Sequence, residues 1–220
     1  MTTAAPQISK VSKFDGIRSW SLPARITCPG SRLDNGELCP VCQGCYATGG
    51  NYRFNNVKAA RLHNMNDWKH DDWVDAMVAA LDNSRYFRWF DSGDVYCVEL
   101  AEKIEQVIIR TPWVRHWLPT KSYRVDSIRH VLDRIATLPN VVVRYSSPNV
   151  DGSYIPGLHG STVVPTYDHD VPAEVHVCPA YQNEGNKCTG CRACWDKDVK
   201  VIAYVAHGRA MDKVLKSLVK

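Results

Sequence analysis

Eight of the nine cysteines fall into two sets with nearly the same internal spacing. The first reads Cys28-x10-Cys39-x2-Cys42-x2-Cys45 and the second Cys178-x9-Cys188-x2-Cys191-x2-Cys194. A thiol at every third residue gathers sulfurs around one loop, as a metal centre requires. The three-plus-one grouping is that of the C-x2-C-x2-C run in bacterial ferredoxins, where three cysteines hold a [4Fe–4S] cube and the fourth is remote. Structural zinc sites instead favour two C-x2-C knuckles separated by a longer spacer. Zinc is therefore the alternative metal. The spacing allows one cube per set or a single cube shared between the sets.

The remaining chemistry-bearing residues are less patterned. Cys97 falls at a helical core spacing and reads as a buried free thiol rather than a ligand. The histidines show no pairing at metal-ligand spacing, but His176, two residues before Cys178, could act behind the ligands. Tyr46 and Trp195 each follow the last cysteine of a set, where an aromatic ring could shield a cluster or simply pack. Asp91, Asp94, Lys121, Ser146, Ser147, Asn149 and Asp151 lie just after apolar runs and could converge on one pocket. The usual duty of Asp, Ser and Asn there is to cap helices and form turns. Asp94, in a glycine turn after an aromatic strand, and Lys121, which could neutralise an anionic ligand, are the candidate catalytic residues.

These residues are positioned by alternating strands and helices. Tyr86–Asp91, Val114–Leu118 and Val141–Ser147 read as strands. Helical stripes run through Cys97, Leu100, Ala101, Ile104 and Ile108, and through Ile128, Val131, Leu132 and Ile135, with Asp126 as a cap. Upstream, "VKAARLH" and the Trp73–Leu81 stripe read as helices. Downstream, "STVVP", "AEVHV" and "VKVIAYV" read as strands, and "DKVLKSLVK" as a solvated helix face. Such alternation implies parallel pairing with right-handed crossovers. The expected fold is α/β, a partial (β/α) barrel, with an open doubly wound sheet as runner-up. In either, the strand C-termini form the active face. A single domain spans residues 1–220: a cysteine loop and helices over 14–83, β/α repeats over 84–170, and the second cysteine loop with the last strands over 171–207.

Composition narrows the function classes. A net charge of +4 with scattered basic residues makes no dense basic stripe, so nucleic acid is not an expected partner. No apolar run approaches the ~20 residues that span a bilayer, and the first residues lack the apolar core of a signal peptide. The expectation is a soluble cytoplasmic protein without membrane contact. A reducing cytosol with an odd cysteine count disfavours a disulfide framework.

Several stretches together resemble the mycobacteriophage gene-product-88 domain family. They are "SLPARITCPG", the cluster ending "CYATGGNYRF", the "DSGD" turn, the "TKS" after the next strand, and "CPA…KCTGCRACW". The resemblance covers about Phe14 to His207 and implies a phage protein of the host bacterial cytoplasm, without implying a reaction. More distantly, the chain resembles radical S-adenosylmethionine (SAM) enzymes, partial (β/α)6 barrels with a cysteine loop after the first strand, here "SWSLPARI". In that resemblance Ser92, Gly93 and Asp94 stand where a Gly-Gly-Glu turn holds the SAM amino group. The C-terminal cysteines then match an auxiliary cluster. SAM chemistry needs one iron free of protein ligands, so the role of Cys28 separates two readings. Three cysteines on a cube favour a radical-SAM-like or other redox enzyme acting on a small molecule at the strand C-termini. Four favour an electron carrier, or a protein that binds a host component. A zinc-dependent binding module is the further alternative. Substrate and oligomeric state are not encoded in these motifs.

Overall fold

Short runs of β-branched and aromatic residues form one eight-stranded sheet in the computed structural model, which describes residues 3–218. The strands are β1 (Ile8–Lys10), β2 (Arg18–Trp20), β3 (Tyr86–Trp89), β4 (Arg115–Thr120), β5 (Val141–Ser146), β6 (Gly160–Val164), β7 (Val175–Val177) and β8 (Val201–Val205). Their spatial order is β1-β2-β3-β4-β5-β6-β8-β7. β1 pairs antiparallel with β2, and the other neighbours pair parallel. The helices are α1 (Pro40–Gln43), α2 (Asn55–Asp67), α3 (Trp73–Ala80), α4 (Val98–Arg110), α5 (Asp126–Ala136) and α6 (Arg209–Leu218).

From β2 to β6 each crossover steps to the next strand in the same direction, and right-handed crossovers of that kind place their helices on one face. The packing agrees. Buried residues of α3, α4 and α5 share a core with Trp20, Phe87, Trp89, Leu118, Val141 and Val143. Side chains alternate along a strand, so Arg88, Trp117 and Arg144 point to the other face. There Phe14, Trp117 and Trp195 form a smaller cluster, with ring centroids 5.1–5.9 Å apart. Trp195 belongs to the long β7–β8 loop, which covers this helix-free face.

Several local expectations are corrected. β2 stops at Trp20 rather than running through "SLPARI", because Pro23 has no N–H for a ladder and Arg25 adopts a left-handed φ of 67°. β1 has too few residues to signal itself in sequence. The β5–β6 connection carries no helix, and Gly152 and Gly157, both at φ 80°, turn it. Asp126 is the first helical residue of α5, with Val125 at the capping position. Cys97 packs against the core as a free thiol, but half-buried and in extended backbone at the N-cap of α4 rather than within the helix.

Candidate metal centres

The first cysteine set lies in the β2–β3 crossover. Cys28 accepts a 3.1 Å hydrogen bond from the Ser31 N–H, and the Ser31 carbonyl accepts one of 2.8 Å from the Cys39 N–H, folding the remote cysteine back onto the run. Cys39 caps α1 with Pro40 at its first position, where the missing N–H costs nothing. The three-residue spacing then puts Cys39 and Cys42 on one side of a single turn. Cys42 hydrogen-bonds the Cys39 sulfur, which holds the Cys39 thiol low and drives Cys42 up. Burial pushes Cys28 up to about 12; the neighbouring Asp94 carboxylate and Cys45 add to the shift, while Lys121 opposes it.

Close packing fixes this loop from two sides. A Cβ on Gly30 would sit 1.9 Å from the Lys121 carbonyl oxygen, so the Cys28 turn rests directly on the end of β4. A Cβ on Gly44 would sit 2.6 Å from Met211 Cε, so α6 lies against the Cys42–Cys45 segment. The Val41 N–H donates to the Pro148 carbonyl at 3.0 Å, joining α1 to the loop after β5.

Candidate residues from the strand ends divide. Asp94 and Lys121 do come to the first set: the Lys121 ammonium bears on Cys39 and Cys42, and Asp94 on Cys28. Yet Asp94 is buried with both carboxylate oxygens engaged, one accepting from the Val95 N–H at 2.8 Å and the other from the Lys121 N–H at 2.7 Å. Burial raises its pKa against those bonds. Ser92 Oγ donates to the Leu22 carbonyl at 2.8 Å and accepts from Arg61 Nε. Gly93, at φ 78°, is pressed against Leu22 and Thr27. Asp91 holds Arg88 at 2.9 Å and accepts from the Tyr52 hydroxyl at 2.6 Å. Ser146, Ser147, Asn149 and Asp151 bond among themselves and with Ser153 and Ser161, as turn residues do.

The second set forms a more enclosed site. Cys178 directly follows β7 and donates its N–H to the Ala203 carbonyl at 2.8 Å. All four cysteines, Cys178, Cys188, Cys191 and Cys194, line one cavity with His176, Trp195 and Ile202. His176 Nε2 is buried and has no hydrogen-bond partner. The Cys194 sulfur lies 3.3 Å from the Tyr204 hydroxyl. Burial pushes Cys188 and Cys194 up to about 11; Cys178 adds to the first shift, and Tyr204 and Arg144 oppose the second.

The charges around this cavity are unusual. Arg144 is fully buried on the helix-free face of β5. All six of its hydrogen bonds go to backbone carbonyls, those of Ala193, Cys194, Asp196, Val199, Lys200 and Gly160. No carboxylate is among its hydrogen-bond partners, and burial lowers its pKa although Tyr204, Cys194 and the Asp196 carboxylate oppose this. The Lys13 ammonium sits 3.9 Å from the Tyr181 ring centre. Burial lowers its pKa too, against the pull of Cys178 and Cys188. A buried charge left without a counter-charge costs several kcal/mol. Sequence reading passed over Arg144 and Arg88, although each interrupts an apolar strand, "VVVRYSS" and "YFRWFD", with a charge on the face opposite the helices.

Among the described residues, no group of three or more His, Cys, Asp or Glu side chains is placed to hold a single metal ion, and no helix is long and apolar enough to cross a membrane. A family model described as gene product 88 matches residues 1–197. No curated protein and no solved structure matches the chain, and the resemblance to radical SAM enzymes gains no support from these comparisons.

Proposed function

The chain belongs to the gene product 88 family of phage proteins, and we propose that it is an iron–sulfur protein with one [4Fe–4S] cluster at each cysteine set, working in the cytoplasm of a bacterial host. The observation that carries this reading is the second cavity. Its four thiols lie near Arg144, a fully buried cation with no carboxylate among its hydrogen-bond partners and only the Asp196 carboxylate bearing on it, and near the half-buried Lys13. A cluster bound by four thiolates is a net anion and would supply the missing charge. Zinc in four thiolates would be anionic as well, but it draws its sulfurs to about 3.8 Å of one another from Zn–S bonds of ~2.3 Å. A cube carries its ligands on separate corners, farther apart, in keeping with thiols that line a cavity without meeting at a point.

The first set fits the same group through Cys28, Cys39, Cys42 and Cys45. Cys28 turns back toward Cys39 through Ser31 and feels Cys45, which supports four ligands and a closed cube. A closed cluster carries electrons or braces its loops, whereas SAM chemistry needs an open iron. Ser92, Gly93 and Asp94 are likewise engaged by the scaffold, so a carrier is preferred to a radical-SAM-like enzyme. The one-directional strand order and the loop filling the helix-free face support a sheet curled as a partial (β/α) barrel around the second site.

Iron, acid-labile sulfide and zinc measured on anaerobically purified protein test the proposal. Brown protein with iron and sulfide in equal amounts is the expected result. A colourless, zinc-loaded preparation overturns it.

A further inference from the structure

Resting on that iron–sulfur reading, we propose that the two clusters are an unequal, connected pair, in which an electron entering the chain comes to rest on the cluster held by Cys178, Cys188, Cys191 and Cys194. Reduction adds negative charge to a cluster, so nearby cations and N–H donors raise its potential, while nearby carboxylates and water lower it.

The two surroundings differ in these respects. The second cavity has Arg144, fully buried with no carboxylate among its hydrogen-bond partners although Asp196 bears on it, at Cys194, and the half-buried Lys13 at Cys178, Cys188 and Cys194. His176 Nε2, without a partner inside the protein, lines the same cavity and can offer an N–H to a sulfur. Asp15, an acid that bears on Cys188, is held 3.2 Å from Arg192 at the surface. At the first set the deeply buried charged group is Asp94, an acid that bears on Cys28, where the second set has Arg144; the cations Lys121 and Arg124 are half-buried, as Lys13 is.

Polar side chains lie between the sites, beginning at the partly exposed Tyr46. Tyr46 follows Cys45, and its hydroxyl accepts a 3.2 Å hydrogen bond from Arg88. Arg88 lies across the helix-free face, where Tyr204 bears on it, and the Tyr204 hydroxyl is 3.3 Å from the Cys194 sulfur. An electron given to the first cluster by a one-electron donor, dithionite in the test, would pass to the second. The first cluster is then reoxidised by one electron and the second reduced by one.

The test is a stepwise anaerobic dithionite titration of the full chain followed by EPR. Two separated midpoints are expected, with a preference for the second site of at least tenfold, which is 59 mV for one electron. Cys39→Ser with Cys42→Ser should leave only the higher midpoint, and Cys188→Ser with Cys191→Ser only the lower. Lys13→Met, which spares every ligand, should lower the higher midpoint and leave the other in place. Iron and sulfide are measured on the same samples. Fewer than two cubes per chain overturns the proposal together with the reading beneath it. Two cubes with one shared midpoint, with the order reversed, or with a Lys13→Met shift in the lower midpoint overturn this proposal alone.

Discussion

Cys28 and Cys97 are both half-buried thiols outside the three-residue runs, yet they sit in different chemistry. Cys28 feels the charges of Asp94, Cys45 and Lys121, whereas Cys97 stands at the N-cap of α4 beside Glu99. Cys28→Ala should remove the first cluster and lower iron per chain by about half, while Cys97→Ala should leave iron content unchanged; iron analysis of the two variants checks this. His116 offers a separate test at the same scale. It is fully buried, its Nδ1 accepting from the Trp89 indole at 3.2 Å and its Nε2 donating to the Thr111 hydroxyl at 2.9 Å. Burial holds its pKa down at about 3, whereas the unfolded chain binds that proton near 6.5. Its contribution is therefore complete above pH 6.5 and is lost as the pH falls toward 3, at up to about 1.4 kcal/mol per pH unit. Urea unfolding across that range should show the limb, and His116→Gln should flatten it.

At the scale of elements, the first cysteine loop is folded by its own hydrogen bonds and seated on the sheet by close contact. Gly30 packs where any side chain would strike the Lys121 carbonyl. Gly30→Ala should lift the Cys28 turn from β4, destabilise the protein by about 1–3 kcal/mol and deplete the first cluster, as urea unfolding and iron analysis would report. Most elements were legible in the sequence. α4 and α5 carry long apolar stripes, and β3, β4 and β5 are dense in aromatic and β-branched residues. What escaped were features without a repeating pattern: β1, with three residues; the early end of β2 before Pro23; and the helix-free β5–β6 crossing. Asp94 was legible as a residue of interest because of its glycine turn. Its duty, bonding the Lys121 N–H, needs β3 and β4 side by side.

For the whole molecule, the helix-free face holds the two buried arginines among the described residues, Arg88 and Arg144, and on the iron–sulfur reading the cysteine loop closing over it would make stability depend on the cluster. If the second cluster is stripped by chelation under oxidising conditions, Arg144 loses the anion facing it. Uncovering a buried charge costs about 3–5 kcal/mol, so the midpoint of thermal unfolding should fall by roughly 10 °C. Scanning calorimetry before and after stripping checks this; an unchanged midpoint would mean that the guanidinium is balanced by its six carbonyls alone. The cysteine spacing by itself determined which thiols share a loop, because residues three apart in a short segment stay neighbours whatever the rest of the chain does. The family resemblance was equally local, carried by short runs. Only the tertiary structure decided what surrounds those sulfurs. Arg88, Arg144 and Tyr204 come from three different strands, and Lys13 from the N-terminal segment. Their meeting depends on strand order, on the two-residue alternation that turns them to the same face, and on a loop crossing that face.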